Sequence, residues 1–305
     1  MEVVRIRPRG YCHGVVEAIR LAKKVGEEQR GRPVTMLGYL VHNEHATREL
    51  EAAGVRLVAE SDRMKGLEQI TEGTVIFTAH GISPQVVEAA RERGLEIVDA
   101  TCSDVTRTHD IVRELTARGV HVVYIGKRGH PEPEGVLGVA PGLITLVETM
   151  EDVDRLDFPP GTGLAVTCQT TLSMWDTQAM IDRLAERYPD IEIHNEICRA
   201  TQDRQEAAVL AADDVDCVVV VGSRRSSNSQ RLVQVVEELG HRPAHLVDTA
   251  DELQAEWFRG MSRVGVTSGA STPTHLTRGV IAALEAMPAQ PAAEAHPPLH
   301  DPATN

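Results

Sequence analysis

The sequence predicts an α/β protein of three pseudo-equivalent modules with mostly parallel sheets, and three observations carry that expectation. Strand-like apolar runs alternate with helix-like amphipathic segments along most of the 305 residues. One design, a short strand followed by a cysteine-bearing turn and a helix, occurs three times. Its cysteines, Cys12, Cys102 and Cys198, stand 90 and 96 residues apart, close to the length of a small domain.

Taken in order, Val3-Val4-Arg5-Ile6 reads as a strand that breaks at Pro8 and Gly10. Cys12 follows, and Val15, Ala18, Ile19 and Ala22 then share one helical face. The second occurrence is Glu96-Ile97-Val98, Thr101-Cys102, and a helix with Val105, Val112 and Leu115 on one side. The third is Ile191-Glu192-Ile193, Cys198, and a helical run from Gln205 to Leu210. Between them the expected strands are Val34 to Leu37, Thr74 to Phe77, His121 to Ile125, Leu143 to Val147, Leu164 to Thr167, Cys217 to Val221, Ala244 to Val247 and Arg263 to Val266. Pro84 to Arg93 and Thr177 to Arg187 read as helices, and Gly94, Gly119 and Gly240 fall where helices should end.

These units place module boundaries near Asp99 and Glu196, giving modules at 1–99, 100–195 and 196–287. Because the strand at 96–98 precedes Cys102, the strand at 3–6 is expected to pack on the third module and close a ring. From Pro288 the chain is Pro- and Ala-rich without periodicity, and 288–305 is expected to be a disordered tail.

Composition narrows the function. A formal net charge of −14 argues against general binding to nucleic acid or anionic membrane. An aromatic content of 3% leaves few rings for base stacking. No apolar run approaches the roughly 20 residues that a membrane helix needs. The N-terminus lacks a basic-then-apolar secretory profile, and five scattered cysteines do not look like a disulfide framework. A reduced, cytoplasmic protein is expected.

Ligands of parallel sheets gather at the carboxyl ends of strands. There the sequence places His42, His80 and His130 after successive strands, Thr170 after the run ending at Thr167, Ser226-Ser227-Asn228 after Val221, and Ser271 after Val266. Three histidines at matching positions can donate to an anion such as phosphate, although a lone histidine is more often a turn residue. The serines and the asparagine suit a phosphate at a helix N-terminus, and equally suit ordinary capping. Arg224 and Arg225 would help to steer an anion toward an otherwise acidic protein.

A cysteine at a strand-to-helix turn faces the positive end of the helix dipole, which favours thiolate. Zinc would more usually show a close Cys-x-x-Cys pair and four ligands, and neither is present. Three thiolates suit a [4Fe–4S] cluster with one iron left without a protein ligand. The bland alternative is three buried small hydrophobes, the expectation for Cys217; Cys168 breaks the repeat and is also read as a non-ligand. Glu132, fenced by Pro131 and Pro133, is the best candidate general acid, with Glu134 as competitor and a turn expected to begin at Gly135.

The motifs Arg9-Gly10-Tyr11-Cys12, Val41-His42-Asn43, Ala79-His80-Gly81, Asp99-Ala100-Thr101-Cys102, Gly129-His130-Pro131-Glu132, Gln169-Thr170-Thr171-Leu172-Ser173, Ile197-Cys198 with Arg204-Gln205-Glu206-Ala207, Ser226-Ser227-Asn228-Ser229 and Gly269-Ala270-Ser271 occur in this order. Together they resemble the 4-hydroxy-3-methylbut-2-enyl diphosphate reductase (LytB) family, from residue 4 to about 285. The resemblance implies three α/β domains around a [4Fe–4S] cluster held by Cys12, Cys102 and Cys198. It implies an iron–sulfur oxidoreductase of isoprene biosynthesis, performing the last step of the methylerythritol phosphate pathway. That step is a reductive dehydroxylation giving isopentenyl and dimethylallyl diphosphate. By the same resemblance His42, His80, His130, Ser226, Ser227, Asn228 and Ser271 hold the diphosphate. Glu132 delivers protons and Thr170 bonds the substrate hydroxyl. An external electron donor such as ferredoxin or flavodoxin is implied.

The chain departs from the commoner pattern at His13, where many members carry alanine, at Ser103-Asp104, where proline is frequent, and at Cys168, which replaces a hydroxyl residue. Two rival readings fit the same residues: a non-redox [4Fe–4S] dehydratase, and a metal-free phosphometabolite-binding module whose cysteines are only core.

Overall fold

The structure, a computed structural model, describes residues 1–29 and 31–288. Beyond Pro288 the expected tail lies outside the described residues. Among the described residues twelve strands form three four-stranded sheets. The first holds β2 (Val34–Leu37), β3 (Val55–Val58), β4 (Thr74–Phe77) and β5 (Glu96–Asp99) in the order β3-β2-β4-β5. The second holds β6 (His121–Ile125), β7 (Ile144–Val147), β8 (Leu164–Cys168) and β9 (Glu192–Ile193) in the order β7-β6-β8-β9. In the third, β10 (Cys217–Val221), β11 (Ala244–Val247) and β12 (Arg263–Ser268) are joined by β1 (Glu2–Arg5), in the order β11-β10-β12-β1.

Every pairing is parallel. The three orders are the same order. In the third lobe the edge position filled elsewhere by β5 and β9 is taken by the first strand of the chain, with Val3 opposite Val264 and Arg5 opposite Val266. The N-terminus thus closes the ring of lobes.

Helices cover both faces of the sheets: α1 (His13–Glu28), α2 (Glu44–Ala52), α3 (Arg63–Glu68), α4 (Pro84–Glu92), α5 (Ser103–Ala117), α6 (Pro131–Leu137), α7 (Met150–Asp154), α8 (Met174–Arg187), α9 (Arg199–Ala212), α10 (Ser227–Glu238) and α11 (Thr274–Ala286). Strands sandwiched in this way need apolar residues on both faces, which is why β2, β4 and β10 are buried at every position. Strand alternation then sorts the residues into two cores per sheet. Met36 and Ile76 pack with Val15, Ala18 and Ile19 of α1 on one face. Leu37, Val75 and Phe77 pack with Val86 and Ala90 of α4 on the other. Truncating such a residue, for example Ile76→Ala, costs about 2–5 kcal/mol.

Two local expectations are corrected. Strand β3 is missed by the sequence pattern, because adjacent apolar Leu57 and Val58 blur the alternation in a four-residue element. Pro131 to Gly135 is not a loop leading to a turn but the start of α6, capped by His130. Prolines fit there because the first backbone N–H groups of a helix have no partner within it. Among the described residues no helix is long and apolar enough to cross a membrane.

Candidate active site

Each repeated cysteine arrives from an edge strand and becomes the N-cap of the next helix, α1, α5 or α9, with no side-chain capping bond. Each backbone N–H is fixed by a carbonyl in the loop after the neighbouring strand. Cys12 N donates to Ala270 O at 3.0 Å, Cys102 N to Ala79 O at 3.1 Å and Cys198 N to Thr170 O at 3.1 Å. Each cysteine carbonyl then accepts a bond from its own helix, from Val16, Thr106 and Gln202 respectively. The same hydrogen-bond frame is therefore built three times, and it releases all three thiols toward one cavity.

Close approach is built in as well: a Cβ on Gly14 would collide with Cys102 Sγ, so only glycine lets α1 lie against that sulfur. Among the described residues, the only trio of His, Cys, Asp or Glu side chains whose ligand atoms all lie within 4.8 Å is His42, His80 and His130, so the cysteines are spread more widely. Sulfurs around one zinc ion would stand about 3.8 Å apart, given a Zn–S bond of about 2.3 Å. A multinuclear cluster fits this wider donor set better than a single ion does.

At Cys102 and Cys198 burial works against the expected bias toward thiolate. Burial, opposed by Thr201, pushes the Cys198 thiol up to about 11, with Asp104 and Cys12 adding to the rise. Burial also raises Cys102. Desolvation outweighs the helix dipole here, so a bound cationic centre is what would hold these sulfurs as thiolates.

The rest of the wall comes from the loops that follow the inner strands. His42 and His80 stack at 4.2 Å between ring centroids, and His130 meets them edge-on at 5.2 and 5.4 Å. His42 Nε2 and His80 Nε2 are buried with no partner among the described residues. Buried polar atoms left in that condition are costly unless a ligand takes them. His130 Nδ1 accepts the Glu132 N–H at 3.2 Å, which puts the proton of the neutral ring on Nε2. Burial, helped by Arg63 and Arg225, lowers His42 to about 4. Burial, helped by His42, Lys127 and Arg63, lowers His130 to about 3. His80 is also pushed well down, chiefly by burial. Near neutral pH all three are uncharged donors.

Glu132 is 1% exposed. Its carboxylate accepts from Thr170 N at 2.7 Å and from Thr170 Oγ1 at 3.1 Å. Burial raises it to about 7, against the opposing pull of those two bonds and with a small push from Asp104. Thr170 is thus tied to the carboxyl through its N–H and hydroxyl, and to Cys198 through its carbonyl. Glu134, the competitor, faces away from this cavity, and the Arg63 charge opposes the rise that burial imposes on its carboxyl.

The cradle serines follow β10 and β12. Ser226 caps α10 by accepting Ser229 N–H at 3.3 Å, and Ser271 Oγ stands 3.5 Å from Ser226 Oγ. Ser227 Oγ donates to Thr171 O at 3.4 Å. Asn228 accepts Ala270 N–H and donates to Thr201 Oγ1, leaving one amide N–H uncommitted. All twelve residues singled out from the sequence line one cavity: Cys12, Cys102, Cys198, His42, His80, His130, Glu132, Thr170, Ser226, Ser227, Asn228 and Ser271.

Cys168 and Cys217 are buried and are not on this wall. Cys168 Sγ accepts Glu196 N–H at 3.3 Å, and Cys217 opens β10. His13 is exposed at the start of α1. Sequence reasoning passed over Asp104, which lines the cavity, and Thr201, whose Oγ1 is 3.2 Å from Cys198 Sγ. Both lie within three residues of a capping cysteine, and that spacing was the available signal. Arg204 and Gln205 fasten lobes together: Arg204 donates to Gly10 O at 2.8 Å, and Gln205 to Leu172 O at 2.8 Å.

Comparison with known proteins agrees with this geometry. The family model described as LytB protein matches residues 3–285. The 4-hydroxy-3-methylbut-2-enyl diphosphate reductase of Symbiobacterium thermophilum is 58% identical over 286 residues, covering 93% of this chain and 97% of the relative. The enzyme of the same name from Brevibacillus brevis is 50% identical, covering 93% and 92%. The solved structure of the E-1-hydroxy-2-methyl-but-2-enyl-4-diphosphate reductase from Plasmodium falciparum superposes with a TM-score of 0.89 at 31% identity, covering 97% of this chain and 93% of that one. With the match running through nearly every described residue and through all three lobes, the chain belongs to the LytB protein family.

Proposed function

We propose that this protein reduces 4-hydroxy-3-methylbut-2-enyl diphosphate to isopentenyl and dimethylallyl diphosphate, the last step of the methylerythritol phosphate route. The allylic C–O bond breaks and a C–H bond forms, consuming two electrons and two protons and releasing water. The observation that carries the reading is the convergence of three cysteine caps that make no capping bond, a buried carboxyl and three neutral histidines on one wall. Cys12, Cys102 and Cys198 would hold a [4Fe–4S] cluster, which supplies electrons and, at the iron without a protein ligand, Lewis acidity.

The chain's own residues do the rest. His42, His80 and His130 offer N–H donors to the diphosphate, and Ser226, Ser227, Asn228 and Ser271 offer hydroxyl and amide groups at the start of α10. Fixing the diphosphate orients the carbon chain in the cavity. Glu132, with its pKa near neutrality, gives a proton to the departing hydroxyl oxygen. Thr170 holds that carboxyl in place through two bonds and sets its hydroxyl beside the substrate oxygen. Electrons come from an external carrier of the ferredoxin or flavodoxin type. Five free cysteines support a reducing, cytoplasmic setting.

The test is anaerobic purification, iron and sulfide determination, and product analysis with a chemically reduced viologen as donor. Reductant-dependent release of both isomers is expected. Conversion without reductant would point to a dehydratase, and a colourless, iron-free protein that still binds pyrophosphate would point to a binding module.

A further inference from the structure

A second cavity, of about 390 Å³, adjoins the histidine site and shares His42, His130 and Ser227 with it. Its wall carries five cations in a protein whose net charge is −14. Two are taken by carboxylates: Arg224 pairs with both oxygens of Glu252 at 3.0 Å, and Arg128 sits near Glu148 and Asp152. The remaining three differ.

Arg63, the first residue of α3, is half-buried, donates to Glu60 O at 3.0 Å, and has no carboxylate within 4.0 Å among the described residues. Its guanidinium occupies the space that a Cβ on Gly38 would need, so the backbone after β2 is shaped to admit it. Lys127, after β6, has only Gln230 Oε1 as a side-chain partner among the described residues, at 3.3 Å. Arg225, after β10, lies over the Tyr39 ring at 4.7 Å and reaches Glu44 only at 3.9 Å, an exposed pair of little worth. One lightly committed cation therefore comes from each lobe. Glu60 and Glu134 share the wall, and Arg63 is the cation nearest in effect to Glu134.

The three histidines are neutral donors, so they alone do not balance a diphosphate carrying two or three negative charges. We propose that Arg63, Lys127 and Arg225 form an anion vestibule. This is a subsite outside the histidine trio that captures the diphosphate end of the substrate and supplies the positive charge the trio lacks. The proposal rests on the diphosphate reading above. Arg63 is the fixed countercharge, held close enough to depress all three histidines. Lys127 and Arg225, exposed on flexible stems, meet the anion first. Focused positive charge in an acidic protein raises anion capture about 10- to 1000-fold, and salt screens the effect.

The experiment measures pyrophosphate affinity by calorimetry and kcat/KM for the diphosphate substrate, on holoenzyme, across ionic strength. Arg63→Gln, Lys127→Gln, Arg225→Gln and the Lys127→Gln/Arg225→Gln pair are compared with wild type and with Lys24→Gln on the exposed face of α1. Pyrophosphate affinity should fall about tenfold in Arg63→Gln and in the paired variant at low salt, with a flatter salt dependence and the kinetic loss falling on KM. Arg63→Lys should restore most of it. Variants that keep wild-type affinity and salt slope would overturn the vestibule, as would a loss equal at every salt concentration. If Arg63→Gln does not fold, the two exposed-site variants decide the matter alone. Should wild type bind pyrophosphate in this way yet fail to turn over, the vestibule stands and the reductase reading falls.

Discussion

Two trios meet on the wall of one cavity, and they are built on opposite principles. The cysteines repeat: each is a helix cap, delivered by an edge strand and pinned by a carbonyl of the neighbouring loop at 3.0–3.1 Å. The histidines repeat only in part. His42 and His130 follow the equivalent strands β2 and β6, but His80 follows β4, whose counterparts β8 and β12 lead to Thr170 and Ser271, while β10 leads to Ser226-Ser227-Asn228. Symmetric scaffolding makes a seat for something itself nearly symmetric, and the broken symmetry at the loops makes a seat for an elongated, one-ended molecule. The contrast extends to energetics. Histidines packed at 4.2–5.4 Å remain neutral and need an anion to use their N–H groups, whereas buried thiols need a cation before they ionise.

The largest expected effect breaks the cysteine side. Cys198→Ser should lose most bound iron and sulfide and with them nearly all turnover, whereas Cys217→Ser, inside β10, should keep its iron; retained iron in the first variant would remove the basis for the symmetric seat. Next comes the group between the trios. Glu132→Gln should bind pyrophosphate normally and turn over about 100- to 10,000-fold more slowly. Wild-type kcat should decline as pH rises through about 7, as an acid that must be protonated requires.

The same carboxyl has a stability signature. Its folded pKa of about 7 exceeds the ordinary 4.5, so the folded state holds the proton more tightly. Wild-type stability should therefore fall as pH climbs between those values, and the Tm of Glu132→Gln should gain on wild type across that window, a trend that thermal melts at several pH values would check. The smallest effect sharpens the loop side: Ser226→Ala removes an N-cap, costing about 1 kcal/mol of stability, and should also weaken pyrophosphate binding, whereas the capping variant Ser173→Ala on α8 should cost similar stability without changing that affinity.

Much of this was legible in the chain. Alternating apolar runs gave the parallel sheets, and the cysteine spacing gave the three units, because βαβ packing imposes a local periodicity that a sequence window can hold. The strand-end rule pointed to the histidines, Thr170, the serines and Asn228 on the cavity wall, since in a parallel sheet all carboxyl ends face one way, but it passed over Asp104 and Thr201. Elsewhere the local pattern misled. Strand β3 was lost where Leu57-Val58 interrupted alternation, and the Pro-Glu-Pro-Glu stretch read as a loop although proline suits a first helical turn.

The sequence by itself determined the kinds of element, their order and the donors at their ends, because each of these depends on residues within a few positions of one another. Only the tertiary structure decided which carboxyl is buried: Glu132 and Glu134 differ in nothing that sequence distance records, yet one meets Thr170 and the other lies on the Arg63 side. It also decided that desolvation outweighs the helix dipole at Cys198, and that Arg63 stands beside histidines from two lobes. Burial and long-range charge are sums over neighbours brought together by folding, and those sums exist only once the three lobes have closed around their common cavity.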